Sequence, residues 1–390
     1  MDAAERRRRL GPRHALSTAV DDPVEVARRV VALHGTDPAS VFLAVAARTA
    51  GVGPSAIEGA LYERRELVRM LGMRRTMFVV PAEVVPVIEK STMERIAATQ
   101  RKLLLKQLRE NADDGPADPG PWLQDVERSV LRALAARGGS ATAAQLSGDE
   151  PRLRATLHMS PGKAYEAHAA ITSRVLLLLG AEGHIVRGRP SGSWLSQRYE
   201  WALASSWVPA AAPPATAEEA RAELARRWLT AFGPAPVTDL QWWTGWTGAQ
   251  AKRAVADLGV VEVDLGSGEI GVVLRGDTDP TAEPEPWAAL LPALDPTVMG
   301  WSRRDWFLGE HGPALFDRAG NAGPTVWLDG RIVGGWAQRP DGEIVLRRFQ
   351  DVGRDGAALI EAEVARLTGW LGDVRFIPRF RTPTERELVT

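Results

Sequence analysis

Two Asp-Pro pairs, Asp22-Pro23 and Asp37-Pro38, fix where this chain enters helix near its start. An aspartate just before a helix accepts hydrogen bonds from the free N–H groups of the first turn. Proline is tolerated at the first helical position, because the N–H it lacks would have no partner there. PVEVARRVVAL (23–33) and PASVFLAVAAR (38–48) therefore read as helices, with only His34, Gly35 and Thr36 between them. A third helix is predicted from Ser55 through Arg65, followed by two β-type runs, LVRML and TMFVV, around the basic turn Gly72-Met73-Arg74-Arg75. Three helices and a basic hairpin form the pattern of a winged helix-turn-helix.

The same order recurs twice. After a predicted helix from Pro81 to Glu110, NADDGPADPGP (111–121) breaks the chain with Asp, Gly and Pro. Helical patterns follow at 122–137, near Thr142 to Leu146, and from Gly162 to Leu179, and HIVRGRPSGSWLSQRYEW then reads as strand, turn and strand. Beyond a Pro/Ala linker, VPAAAPPATA (208–217), come predicted helices at Glu218–Phe232, Val237–Trp246 and Ala249–Leu258. VVEVDL and EIGVVL follow as strands around Gly266-Ser267-Gly268. From Leu290 the pattern changes to short β runs (TVWLDG, RIVGGWA, EIVLRRF) and one helix from Arg354 to Leu371. The predicted class is α+β: three tandem winged-helix units (1–111, 112–208, 209–286) followed by a small C-terminal β-barrel domain (287–390). A chain of 390 residues has room for that many cores.

Several kinds of chemistry drop out. Without cysteine there are no disulfides, thiolate nucleophiles or cysteine-bound metals. No apolar run approaches the roughly 18 residues of a membrane span, and the arginine-rich start has no apolar signal core behind it, so a globular cytoplasmic protein without membrane contact is expected. GxxxxGK[ST] and GxSxG are absent, and Lys163 in SPGKAY lacks the glycine that would cradle a phosphate. The histidines are scattered, with no HExxH, so no metal or other cofactor is expected. Asp21-Asp22, Asp113-Asp114 and Glu218-Glu219 sit at linkers or helix starts, where acids cap.

The net charge of −1 hides an uneven distribution. Residues 1–111 carry 19 Lys and Arg against 13 Asp and Glu, whereas 209–300 carry 6 against 13. A basic first third suits nucleic acid, although a composition that favours arginine throughout produces the same excess. Two local features stand out. Trp242, Trp243 and Trp246 share one short segment and read either as core or as a stacking face for bases. His34-Gly35-Thr36 is the best local candidate for chemistry, because an imidazole there would be held between two capped helices. The alternative is a histidine that satisfies helix-end carbonyls, with Asp37 a plain cap.

Taken together, LHGTDPASVFLAVAAR (33–48), ELVRMLGMRRTMFVVPAE (66–83), RGRPSGSW (187–194), FGPAPVTDLQWWTGW (232–246), LLPALDPTVMGWSRR (290–304) and VWLDGRIVGGW (326–336) resemble the bacterial winged-helix DNA glycosylases of the AlkZ and YcaQ type. The resemblance implies tandem winged helices and a β-barrel around a DNA channel. It also implies hydrolysis of the N-glycosidic bond of bulky N7-alkylated purine adducts or crosslinks, in base excision repair or antibiotic self-resistance. The partner implied is double-stranded DNA carrying alkylated purines, and with no long heptad seam to supply a dimer interface a monomer is expected. AlkZ-like members carry Gln, an apolar residue and Gln in the loop between the first two helices, and YcaQ-like members Gln, an apolar residue and Asp; here His34, Gly35 and Thr36 fall on those positions, and neither glutamine is kept. His34 and Thr36, with Asp37 beside them, are the implied catalytic group. Arg69, Arg74 and Arg75 on the first hairpin, and Arg187, Arg189, Arg198 and Trp194 on the second, are the implied DNA-binding set. The rival reading is a winged-helix regulator or adduct sensor that binds DNA without cleaving it.

Overall fold

The computed structural model describes residues 1–112, 116–159, 162–163, 166–266 and 268–390. Asp113, Asp114 and Ser267 lie outside them. The Asp-Pro signals act as read. Asp22 accepts the Val24 amide at 3.0 Å and opens the helix Pro23–Arg29, and Asp37 accepts the Ala39 amide at 3.2 Å and opens Pro38–Ala46. The third helix is shorter than predicted, Pro54–Glu58 followed by a π turn at Gly59–Glu63. The first hairpin is strand β2 (Leu67–Leu71) against β3 (Met77–Pro81), turning through Arg74 and Arg75 in the left-handed region at φ 53° and 60°.

The segment between the capped helices is not a bare loop. Leu33–His34 forms a two-residue strand, β1, antiparallel to β3, pairing Leu33 with Val79 and His34 with Phe78. On its other side β2 meets the second hairpin, β7 (Ile185–Pro190) and β8 (Tyr199–Leu203), through the pair Arg69 and Arg187. With β4 (Ser140–Thr142) on β8, the sheet runs β1-β3-β2-β7-β8-β4. The two basic hairpins are thus neighbours in one sheet, not wings standing apart.

The remaining elements follow the predicted order with one correction. Gly162–Leu179 is not a single helix: β5 (Thr156–Met159) and β6 (Ala167–Ala170) form an antiparallel hairpin, and the helix is Thr172–Ala181. The alanines of AYEAHAA favour helix locally, and cross-strand pairing overrides them. Helices Ala217–Phe232, Val237–Thr244 and Gly248–Ala256 precede the hairpin β9 (Val261–Asp264) and β10 (Ile270–Val273).

The C-terminal sheet is open. β11 (Ala288–Leu291), β12 (Thr325–Leu328), β13 (Arg331–Gln338) and β14 (Ile344–Arg348) pair in a linear order, so the expected barrel is not closed among the described residues. Four strands are too few to enclose a filled interior. The helix Gly353–Leu371 covers one face instead, placing Ile360, Leu367 and Leu371 in one cluster with Val326, Val333 and Trp336.

A buried polar network ties the chain's beginning to this last part. Arg48 makes a forked pair with Asp295 (2.7 and 2.9 Å), both side chains wholly inaccessible, and also donates to Thr297 Oγ1 at 2.7 Å. Thr297 Oγ1 lies 2.8 Å from His14 Nδ1, whose other ring nitrogen is 3.0 Å from the Ala231 carbonyl. Both terminal nitrogens of Arg48 and both Asp295 oxygens are partnered, the condition under which a buried ion pair is tolerated, and only the Arg48 Nε is left without an acceptor.

Candidate active site

β1 carries His34 to the wall of a cavity of about 630 Å³. Its floor and sides come from the hairpin β2–β3, the helix Thr172–Ala181, β7–β8, Trp242 and the segment around Met299 to Asn321. The backbone of the His34 segment is held from two sides. The Gly35 N–H donates to the Met77 carbonyl at 2.8 Å, and the Gly35 carbonyl accepts both Nε (3.0 Å) and a terminal nitrogen (2.7 Å) of Arg69. A Cβ at Gly35 would lie 3.2 Å from the Phe78 carbonyl carbon, tighter than side chains normally sit. The close pass against β3 therefore accounts for glycine at this position.

His34 is 8 % exposed, its ring 5.4 Å from that of Phe78, and its Nδ1 is buried without a hydrogen-bond partner. Burial, helped by the Arg74 guanidinium, pushes its pKa down to about 3. The ring is therefore neutral at physiological pH, with one nitrogen able to accept a proton or hydrogen bond. Thr36 is half-buried and lines the same cavity. Asp37 does not join them. Its carboxylate accepts the Ala39 amide and, at 2.9 Å, the Arg379 amide, and it is not on the cavity wall. Burial pushes its pKa up, and those two N–H groups compensate. The structure gives Asp37 the work of a cap and a tie to the C-terminal segment.

The expected DNA-binding residues divide by burial. Arg74 and Arg75 stand exposed on the β2–β3 turn and line the cavity; Arg75 also donates to Gln100 at 3.0 Å. Arg189 and Arg198 are exposed on the second hairpin, Arg189 lying over the Tyr62 ring. Arg69 is only 6 % exposed and spends its fork on Gly35, so it is a positioning residue for the His34 loop rather than a phosphate contact. Arg187 is half-buried, its guanidinium 3.6 Å from the ring centres of both Tyr199 and Trp201. It lines the cavity, and its Nε and one terminal nitrogen are buried without a partner. Trp194 is core: it stacks on Phe42 at 4.7 Å and meets Trp370 edge-on at 5.8 Å. The expectation of a DNA contact for Trp194 is corrected by that packing.

The tryptophan cluster separates in the same way. Trp243 and Trp246 are buried in the core, and the Trp246 indole N–H donates to the Ser91 carbonyl at 3.1 Å. Trp242 lies on the cavity wall between two cations, Arg74 at 4.0 Å and Arg304 at 5.0 Å from its ring centre. Arg304 went unmarked in the sequence reading, although it ends the WSRR run. Burial lowers its pKa to about 10, which leaves it charged, and its Nε is buried without a partner.

The cavity thus joins a neutral imidazole and a hydroxyl to four guanidinium groups, Arg74, Arg75, Arg187 and Arg304. Four guanidinium groups around one cavity suit a polar or anionic ligand. Among the described residues, the one grouping of three metal-ligating side chains is elsewhere, at His158, Glu166 and His168 on the hairpin β5–β6.

A sequence model of a DNA glycosylase family, described as DNA glycosylase AlkZ-like, matches residues 27–370. The chain belongs to that AlkZ-like family. One curated relative, the interstrand DNA cross-link repair glycosylase of Streptomyces sahachiroi, is 28 % identical over 159 residues, which cover 38 % of this chain and 42 % of the relative. The match thus spans about two fifths of that relative's length. The solved structure of Streptomyces sahachiroi DNA glycosylase AlkZ superposes with a TM-score of 0.73 at 22 % identity, over 95 % of this chain and 97 % of that one. At that identity the likeness is one of fold. Among the described residues, no helix is long and apolar enough to cross a membrane.

Proposed function

We propose that this protein is a monofunctional DNA glycosylase that hydrolyses the N-glycosidic bond of bulky N7-alkylated guanine, including crosslinks of the kind named for its curated relative. The observation that carries the reading is the neutral, buried His34 facing a cavity lined by four guanidinium groups. Alkylation at N7 makes the purine cationic and a good leaving group. The protein then needs to seat the lesion and hold a water against the anomeric carbon of the sugar, for which a neutral imidazole acceptor and the Thr36 hydroxyl suffice. Arg187 and Arg304 find acceptors in the phosphates that flank the lesion, and Arg74 and Arg75 extend the cationic surface outward.

In this reading the three helix-then-hairpin stretches (1–111, 112–208, 209–286) are winged-helix units, and a monomer grips one lesion in repair or self-resistance. The test is a duplex with a single N7-alkylguanine, followed by alkaline cleavage to reveal abasic sites. Wild type should release the base, and His34→Ala should retain DNA binding while losing about a hundredfold or more in single-turnover rate. Uracil, a neutral base and a poorer leaving group, should stay in place. Tight binding to the adduct without abasic sites would favour the sensor reading instead.

A further inference from the structure

The hairpin β5–β6 carries a three-ligand site that the glycosylase reading does not use. Antiparallel register places His158 directly opposite His168, so both imidazoles leave the same face of the ribbon. Their rings stack at 4.3 Å between centroids and 12° between planes. Glu166 precedes His168 by two residues, and its carboxylate turns to the same cluster, Oε1 lying 2.5 Å from His158 Nε2. One ligand atom from each of the three side chains falls within 4.8 Å of the other two. The group is pre-oriented. Glu166 Oε2 accepts the Gly162 amide at 2.7 Å, and the His158 backbone is pinned to Asn111 by its N–H (2.7 Å) and its carbonyl (3.0 Å). A hydrogen bond to the outer oxygen of a ligating carboxylate is the kind of support that metal sites carry behind their ligands.

We infer that His158, His168 and Glu166 form a binding site for one divalent transition-metal ion of the zinc class, which staples β5 to β6. Two imidazole nitrogens and one carboxylate oxygen suit Zn²⁺, Co²⁺ or Ni²⁺, whereas Mg²⁺ and Ca²⁺ prefer oxygen donors throughout. Bonds of about 2.0–2.2 Å require the donor atoms to close to roughly 3.5 Å of one another. His158 and Glu166 side chains are 33 % and 40 % exposed, so modest rotations achieve this without moving a packed core. The ion replaces the hydrogen bond between His158 and Glu166, takes both imidazoles in their neutral form, and leaves a fourth position for water. This inference stands apart from the proposed excision activity: neither fails with the other.

The experiment is calorimetric titration of the untagged full chain with Zn²⁺ in a non-coordinating buffer, with Co²⁺ absorption in the visible as a second readout. One saturable Zn²⁺ per chain is expected. His158→Ala and His168→Ala should each raise Kd at least tenfold and abolish the Co²⁺ band. Glu166→Gln, which keeps the shape but not the charge, should weaken binding by at least about tenfold. If an alanine variant misfolds by near-ultraviolet circular dichroism, His158→Gln paired with His168→Gln gives the same readout with bulk retained. Absence of saturable uptake by wild type up to millimolar Zn²⁺, or uptake unchanged in the double variant, overturns the assignment.

Discussion

Acidification should unfold this protein through two histidines that the fold keeps neutral. His34 and His14 are 8 % and 0 % exposed, and burial pushes both pKa values from 6.5 down to about 3. The unfolded chain takes up these protons near pH 6.5 and the folded chain only near 3. The stability they allow is therefore intact above pH 6.5 and lost progressively as pH falls toward 3. At 1.36 kcal/mol per pKa unit, each histidine favours unfolding by about 2 kcal/mol at pH 5 and by about 4–5 kcal/mol near pH 3. Against a typical total of 5–15 kcal/mol, the pair together removes about 4 kcal/mol by pH 5 and about 9 kcal/mol near pH 3. Urea unfolding followed by tryptophan fluorescence between pH 7.5 and 4.5 measures the slope. His34→Gln supplies the comparison: it places a neutral side chain there, of the type that AlkZ-like members carry, and removes one of the two titrations. Between pH 6 and 5 the variant should lose about 1 kcal/mol less than wild type. Its excision rate should remain within about tenfold, because a neutral acceptor is kept. The wild-type excision rate should in turn be flat from pH 8 to 5, since His34 does not titrate there. A break in that rate near pH 6.5 that disappears in His34→Gln, or identical stability slopes for the two proteins, would show that His34 is not held neutral, and the argument for its role would fall with it.

Three further outcomes follow from burial and pairing. Replacing Arg74 and Arg75 together should shallow the log–log salt dependence of DNA binding by up to about two, because both stand exposed at the cavity mouth; an unchanged slope would place the phosphate contacts elsewhere. Trp194→Ala should leave that slope alone and instead cost about 3–5 kcal/mol in denaturant unfolding, as expected of a ring packed on Phe42 and Trp370. Arg48→Met leaves Asp295 as a buried unpaired carboxylate and should destabilise by about 3–5 kcal/mol, whereas Arg48→Met with Asp295→Leu should recover much of the loss. Thermal melts of the single and double variants decide between them.

What the sequence made legible was local, and what it concealed depended on one strand finding another. The Asp22 and Asp37 caps act within two residues of themselves, so their helices could be placed from composition alone. β1 is only two residues long, too short for any alternation to register, and exists because β3 offers it an edge. Arg69 lies in LVRML, where an arginine among apolar residues reads as pointing to solvent. It is buried because β7 closes on β2, and because the Gly35 carbonyl, brought in by β1, needs donors. The same cause hid the His158, Glu166 and His168 group: spacings that look scattered along the chain become one face of a ribbon once His158 and His168 are registered opposite each other. The barrel expectation failed for a related reason, since strand runs with glycine turns do not say whether the last strand returns to the first or leaves a face for a helix to cover. For the proposed excision site the consequence is specific. A motif comparison sees glutamine replaced by histidine and asks whether function is lost. Under the proposed mechanism the replacement need not abolish activity: a histidine driven neutral by burial has an uncharged nitrogen acceptor to offer, as glutamine has its amide oxygen.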